Sequence, residues 1–388
     1  VTPGTILMGC GHHWTSELQL GSHHLARGFV KAGWRVAFVS YPLSLLRPGR
    51  RADPDVRARR AIYRAGGERH LDGRLWTYVP GTWLAPGRKP VARSEWVYRH
   101  WSRLTWPNVV AAAAENGFGA VDLLYIDNVS QAFWVDAIPH RRSLLRIADR
   151  NMGLGRPPAA VGRIEHELAR SVDLVVYAAE SLEGYVREMR PKRMRHLPNG
   201  VDFERFARGA REAPLEYRSI PRPIAVYVGA MDVWFDYGLL NAAAERLPHV
   251  SFVLIGPESL ARRRLAPRAN VHLLGRRAHD VLPPYLHHAD VGLIPFDVAG
   301  HPDLVHGVNP LKLYEYLACG LPVVSVAWDE LRRLESPAIL ADTAERFIQG
   351  IAEALAKRPA ADDLVRYAAR RDWSSRVEAI CRYLDEAS

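Results

Sequence analysis

The run Asn309-Pro310-Leu311-Lys312-Leu313-Tyr314-Glu315-Tyr316 sets a cation and a carboxylate three residues apart, and Gly320-Leu321-Pro322 follows closely. Asn is a good N-cap, Pro suits the first helical position and Gly-Leu-Pro stops a helix, so the pattern predicts a short helix capped by Asn309 and begun by Pro310. Leu311, Tyr314 and Ala318 then share its core face, while Lys312 and Glu315 sit together on another. A first-turn lysine lies at the positive end of the helix dipole, a poor position unless an anion is bound there. Free backbone N–H groups and an ammonium suit a diphosphate, and a carboxylate one turn later suits ribose hydroxyls. The competing reading is a solvated Lys–Glu pair, contributing about 0.2–0.5 kcal/mol. A second acidic candidate lies in Leu144-Leu145-Arg146-Ile147-Ala148-Asp149-Arg150-Asn151-Met152-Gly153, where an apolar run enters a glycine-containing loop and leaves Asp149 at a strand end. Capping a turn or pairing with Arg150 is the alternative for that aspartate.

The loop Gly9-Cys10-Gly11-His12-His13-Trp14 also follows an apolar run. It is not a dinucleotide fingerprint, because the full glycine spacing and the acidic residue after the second strand are missing. His12, His13, His23 and His24, or Asp53-Pro54-Asp55, offer metal-binding side chains without ligand spacing on rigid elements, and no metal site is expected.

These residues need elements to position them. Apolar or β-branched runs recur at Thr5 to Met8, Val36 to Ser40, Val121 to Ile126, Leu144 to Ala148 and Leu174 to Ala178. The scheme repeats at Ile224 to Val228, Phe252 to Ile255, Val271 to Leu274, Val291 to Pro295 and Val323 to Val326. Helical patterns lie between them, which predicts an α/β fold of parallel sheets covered on both faces. The two series meet near Pro198-Asn199-Gly200-Val201-Asp202, ahead of a polar stretch ending at Arg222-Pro223. A length of 388 residues suits two domains. The expected division is residues 1–203 and 204–373, with an amphipathic helix over 374–388 packing back on the first domain through Val377, Ile380, Tyr383 and Leu384. Ligands of doubly wound sheets bind beyond the carboxyl ends of the strands, so the loops after strands should line a cleft.

The net charge is +10, and the excess belongs to residues 1–200, which hold 29 Lys/Arg against 17 Asp/Glu, while the remainder holds 23 against 25. Between Leu43 and Trp106, fourteen basic residues, Arg47, Arg50, Arg51 and Arg88 among them, alternate with Trp76, Trp83, Trp96, Trp101 and Trp106. An anionic membrane surface with Trp at headgroup depth, nucleic acid, and an ordinary solvated face all fit such a segment. No nucleic-acid module signature appears, so a membrane surface is the expected partner and nucleic acid is not. With 48% hydrophobic and 24% charged residues the chain is globular in composition, neither collagen-like, mucin-like nor wholly disordered. No apolar stretch approaches the roughly 18–20 residues of a membrane-spanning helix. Cys10, Cys319 and Cys381 are far apart and among apolar neighbours, which predicts reduced, packed thiols. The opening residues read as a turn into a buried strand without secretory-signal features, and the expected location is cytoplasmic, peripheral at the inner face of the cell membrane.

Taken together, these motifs resemble the nucleotide-sugar-dependent glycosyltransferases of the GT-B fold, especially family 4 and the related family 70 glucuronosyltransferases. Besides the Asn309 to Tyr316 and Gly320 to Val324 segments, the resemblance is carried by His196-Leu197-Pro198-Asn199-Gly200-Val201-Asp202 and Tyr227-Val228-Gly229-Ala230-Met231. It extends through Phe252-Val253-Leu254-Ile255-Gly256-Pro257, Asn270 to Arg276 and Ala289 to Phe296, in the expected order. It implies two Rossmann-like doubly wound domains facing a central cleft, the second binding a nucleoside diphosphate sugar, expected to be UDP-linked and with UDP-glucuronate among the candidates. It places Lys312 and the turn at Gly229, Ala230 and Met231 at the phosphates, Glu315 at the ribose, Arg276, Arg277 and Phe296 near the base, and Asn309 and Leu311 among the residues that bind the nucleotide sugar; a solvated helix-start Arg277 is an equal alternative. Family 4 proteins usually carry an acidic residue eight positions before the equivalent of Glu315, where this chain has Gly307. That departure moves the likeness toward family 70, which is inverting and whose base matches Asp149 in an Arg146-x-x-Asp149 setting. His12 and His13 are weaker candidates for acceptor contact. The resemblance further implies metal-independent transfer without a cofactor, to a lipid-linked or cell-envelope glycan acceptor in polysaccharide biosynthesis. A retaining family 4 enzyme, a nucleotide-sugar epimerase and a non-catalytic membrane or nucleic-acid binding protein are the competing readings.

Overall fold

The computed structural model describes residues 3–17, 19–46, 53–87, 89–149, 159–209, 212–357 and 359–386. Arg47, Arg50, Arg51, Arg88 and the loop Arg150 to Gly153 lie outside them. The chain forms two units, Val1–Pro198 with Arg376–Ser388, and Asn199–Ser375. The division thus falls at 198/199 rather than 203/204.

In the first unit the strands are β1 (Thr5–Gly9), β2 (Arg35–Val39), β3 (Leu43–Ser44), β4 (Glu68–His70), β5 (Leu75–Tyr78), β6 (Gly81–Thr82), β7 (Val121–Ile126), β8 (His140–Ile147), β9 (Leu174–Tyr177) and β10 (Met194–His196). Eight of them form one sheet in the order β10-β9-β8-β7-β1-β2-β5-β4, and β3 pairs with β6 in a separate two-stranded sheet. Every pairing in the large sheet is parallel except that of β4 with β5 at the edge. Parallel strands flanked by helices are buried on both faces, which is why they read as continuous apolar runs. Ile6, Leu7 and Met8 are wholly buried, as are Leu123, Leu124 and Ile126. Each such side chain contributes roughly 1.5–3 kcal/mol by leaving water.

The second unit holds β11 (Ile224–Val228), β12 (Ser251–Ile255), β13 (Val271–Gly275), β14 (Val291–Ile294), β15 (Val323–Val326) and β16 (Ile339–Ala341). Its sheet runs β13-β12-β11-β14-β15-β16, all parallel, so the strand order reverses between β11 and β14.

The last helix, Trp373–Asp385, starts one residue earlier than expected. Val377, Ile380 and Leu384 are buried along it and Tyr383 is half-buried. Arg193 donates to the Tyr383 carbonyl, and Arg195 pairs with Glu386 at 3.3 Å, so its later turns are tied to β10 of the first unit. Its first residues are held in the second unit, where the Trp373 N–H donates to the Val201 carbonyl at 3.1 Å.

The tryptophans of the basic segment separate into two kinds. Trp76 and Trp101 are core residues, 2% and 0% exposed, which removes them from any surface role. Trp83, Trp96 and Trp106 are 51%, 56% and 69% exposed. Among the described residues no helix is long and apolar enough to cross a membrane. The three cysteines are unbridged, Cys10 buried and the others half-buried.

Candidate nucleotide-sugar site and catalytic carboxylate

In the second unit, the loops leave the sheet in opposite directions at the carboxyl end of β11, and Gly229-Ala230-Met231 begins there. The chain is crowded at this point. A Cβ on Gly256, whose φ is +156°, would stand 1.9 Å from the Gly229 carbonyl oxygen, so two backbones meet where only glycine fits. The Gly229 N–H donates to the Ile255 carbonyl at 2.9 Å. Core tyrosines hold the rest of the turn: Tyr227 donates to the Ala230 carbonyl at 2.8 Å and Tyr237 to the Met231 carbonyl at 2.7 Å. Met231 itself is buried at 3% exposure.

Beside this turn stands the helix Leu311–Ala318. Its start differs from the expected cap. Pro310 occupies the N-cap position and no side chain caps the helix. Asn309 is buried one residue earlier, where its amide donates to Glu330 at 3.0 Å and accepts from the Tyr314 hydroxyl at 2.9 Å, while its carbonyl accepts from Asn199 at 2.7 Å. The wholly buried Glu330 needs a donor, and a buried carboxylate without one is costlier than an uncapped helix end. The core face also differs. Leu311 is half-buried, and Leu313, Tyr314, Tyr316, Leu317 and Ala318 are all buried, so the helix is enclosed over most of its circumference. Tyr316 accepts from the Val228 N–H at 2.7 Å and fixes the helix to β11.

Lys312 projects from the first turn to the turn after β11. A Cβ on Gly229 would lie 3.3 Å from its Nζ. The ammonium sits 4.6 Å from the Phe296 ring centre and 5.2 Å from that of Tyr227, close enough for cation–π attraction. Among the described residues it has no hydrogen-bond or ion-pair partner. Burial pushes its pKa down to about 8, with the Glu315 carboxylate opposing. Phe296 is itself held by a stacked contact with Trp328, 5.6 Å between centroids. Glu315 is buried, and His279 Nε2 lies 2.8 Å from its Oε1.

Of the two arginines after β13, Arg276 is exposed. Arg277 is bound within the unit, donating to Glu216 at 2.8 Å and to the Tyr285 hydroxyl at 3.1 Å. That pairing holds the Glu216 carboxyl below its usual range. Gly307 is half-buried just ahead of the helix.

In the first unit, Asp149 lies two residues past the end of β8 and is open to solvent. Enough protein surrounds it that desolvation raises its carboxyl pKa, with Arg146 opposing. Arg146, within β8, is 4% exposed. A Cβ on Gly21 would lie 2.6 Å from its guanidinium, so the helix Gly21–Lys31 begins against that side chain. The strand order of this sheet reverses between β1 and β7, and there Asp127 accepts from the Gly11 N–H at 3.0 Å and from the Ser22 hydroxyl. Burial raises the Asp127 carboxyl and the neighbouring Cys10 thiol. Sequence reasoning passed over Asp127, although its place after the run Val121 to Ile126 is the same signal that selects Asp149.

The histidines part company. His12 is exposed. His13 is buried, with Nε2 2.8 Å from Asp55 and Nδ1 3.0 Å from the Thr15 hydroxyl. His23 accepts from the Leu20 N–H at Nδ1, so its Nε2 carries the proton that it donates to the His13 carbonyl at 3.0 Å. Burial pushes its pKa to about 3, which keeps the ring neutral.

Comparison with known proteins follows the same two-part division. Residues 8–178 match the N-terminal domain of the glucuronosyltransferase GumK, and residues 222–357 match the glycosyl transferases group 1. The chain is 27% identical over 149 residues to TuaH of Bacillus subtilis (strain 168), provisionally named a teichuronic acid biosynthesis glycosyltransferase. That match spans 36% of this chain and 36% of TuaH. Sucrose-phosphate synthase from Thermosynechococcus elongatus superposes with a TM-score of 0.70 at 18% identity, covering 100% of both chains. HepE of Anabaena, solved with UDP-glucose, gives 0.64 at 16% identity, covering 98% of this chain and 99% of its own. At such identities the two structures speak for the fold. Two glycosyltransferase domain families, matched in chain order along that fold, make this chain a member of the GT-B glycosyltransferases.

Proposed function

We propose that the protein transfers a sugar from UDP to a lipid-linked or cell-envelope glycan, with inversion at the anomeric carbon. The observation that carries this reading is the unpaired Lys312 ammonium held against Gly229 at the carboxyl end of β11. A desolvated cation is costly where the nearby carboxylate, Glu315, is already paired with His279, and a diphosphate supplies further negative charge. Uncapped N–H groups at the start of Leu311–Ala318 add to the attraction. Glu315 accepts from the ribose diol, and Phe296 and Arg276 lie toward the base.

In the reaction, the Asp149 carboxylate takes the proton of the acceptor hydroxyl, whose oxygen forms the new bond to the anomeric carbon. The bond from that carbon to the diphosphate oxygen breaks, and its electron pair leaves with UDP. Lys312 and the helix N–H groups stabilise the developing charge, so no metal or further cofactor is required. A raised Asp149 pKa strengthens it as a base.

UDP is favoured because HepE was solved with UDP-glucose and a structural relative from Burkholderia vietnamiensis is named a UDP-forming trehalose-phosphate synthase. The GumK likeness favours UDP-glucuronate as donor, and the TuaH likeness favours an envelope polysaccharide as product. Exposed Trp83, Trp96 and Trp106 would seat the protein peripherally on an anionic inner leaflet. Calorimetric titration with UDP, GDP and dTDP tests the reading. UDP should bind without added metal and bind Lys312→Met more weakly; no binding of any of the three overturns it. The anomeric configuration of one product separates inverting from retaining transfer.

A further inference from the structure

Phe296 stands two residues past the end of β14 and is only 4% exposed, so most of its ring faces protein. The loops after β11 and β14 are sewn together there by two main-chain bonds. The Asp236 N–H donates to the Pro295 carbonyl at 2.9 Å and the Asp297 N–H to the Trp234 carbonyl at 2.8 Å, which sets Phe235 opposite Phe296. Trp328 stacks on the Phe296 ring, and its indole N–H donates to the Val308 carbonyl at 3.1 Å. Two residues further on, Glu330 accepts from Asn309. The segment Trp328 to Glu330 therefore braces both the ring that meets the Lys312 ammonium and the residues from which the lysine's helix starts.

An ammonium drawn out of water loses hydration, and desolvation favours its neutral amine. An aromatic face returns part of that loss through its quadrupole, most strongly where water is excluded. Of the two rings near Lys312 Nζ, that of Phe296 is the nearer, at 4.6 Å against 5.2 Å for Tyr227. Two titratable groups bear on the ammonium among the described residues. Glu315, on the same helix, is bonded to His279, and the Tyr227 phenol of β11 donates to the Ala230 carbonyl with its pKa raised by burial. From the loop after β14, the Asp297 carboxylate is bonded to the Gly300 N–H, and the Phe296 ring is what meets the lysine.

We propose that Phe296 is a positioning residue for the transfer: its ring, backed by Trp328, keeps the Lys312 side chain charged and directed at the turn Gly229-Ala230-Met231 before a nucleotide arrives. The inference rests on the transferase reading above for its ligand, whereas the charge state of the lysine can be followed without one.

The chain has five lysines, Lys31, Lys89, Lys192, Lys312 and Lys357, so carbon-13 labelling of lysine in the full chain gives few side-chain resonances. That of Lys312 is the one missing from Lys312→Met. In the native protein it should titrate near 8. In Phe296→Leu, which keeps an apolar side chain and removes the ring, it should titrate lower by roughly 0.5–1 pH unit, the size of a cation–π contact at a desolvated site. Calorimetry at pH 8 should then show UDP bound roughly 2–5-fold more weakly, because a smaller fraction of the lysine is charged. Made in Lys312→Met, the same substitution should change UDP affinity by less than ~1.5-fold, since the group through which the ring acts is gone. Phe296→Met carries the same expectations if the leucine variant is unfolded. An unmoved or raised Lys312 titration overturns the inference. So does an equal loss of UDP affinity in the Lys312→Met background, which would make the ring a direct contact of the nucleotide. If the native protein binds no UDP while the Lys312 titration still moves, the nucleotide reading falls and the hold of the ring on the lysine stands.

Discussion

The carboxyl ends of β11 and of β1 occupy equivalent places in two sheets whose strand order reverses there, yet their charges are treated in opposite ways. In the first unit the half-buried Asp127 is answered from within, by the Gly11 N–H, the Ser22 hydroxyl and the positive field of Arg146. In the second unit Lys312 has aromatic faces and a glycine beside it, and the nearby Glu315 carboxylate pairs with His279 instead. A charge bonded within its own protein is architecture; a charge with no bonded partner among the described residues awaits a ligand. The contrast teaches that topology marks where to look, and the balance of charge says what is missing.

The largest effect should fall on the carboxylate outside both clusters. Asp149→Asn keeps UDP affinity and lowers turnover by roughly 10²–10⁴-fold, the usual contribution of a general base; turnover within threefold of native would remove it from that role. As Asp149 is raised, turnover should be lost on acidification at a pH above the ordinary aspartate range, because the base must be ionised, and a pH–rate profile reads this directly.

Lys312→Met should weaken UDP binding by roughly 10–100-fold, the worth of one charge-assisted contact of about 1.5–3 kcal/mol, whereas Asp127→Asn should leave UDP affinity alone and lower the melting temperature instead. A matched effect of the two on UDP would erase the distinction between the clusters. With the ammonium at about 8, UDP affinity should fall as pH rises through that value, by up to about tenfold per unit once Lys312 is neutral, and isothermal titration between pH 7.5 and 9.5 measures the slope. A smaller change is expected at His279→Gln, which can still donate to Glu315: KM for the donor should rise a few-fold with kcat retained, and His279→Ala should do more.

Much of this arrangement could be read from the residues. The ten strands expected from apolar runs are all present, each within a few residues of its expected bounds, because parallel strands buried on two faces leave a continuous hydrophobic signature. The strands that were missed, β3, β4, β5, β6, β10 and β16, are two to four residues long, and several have polar or exposed residues that give no such run. Asn309 misled for another reason. Its sequence neighbours fit an N-cap, but its true partner, Glu330, is twenty-one residues away and declares itself only in three dimensions. Trp76 and Trp101 share a segment with Trp83, Trp96 and Trp106, and one-dimensional spacing could not separate the buried pair from the exposed three.

The close passage of Gly256 beside the Gly229 carbonyl reaches beyond the site itself. Neither segment can drift alone, since a side chain on Gly256 would strike the Gly229 main chain and one on Gly229 would crowd Tyr227 and Lys312. Anyone reshaping sugar preference by mutagenesis should therefore treat the two turns as a single inherited block, and seek variation in the rings and arms around them.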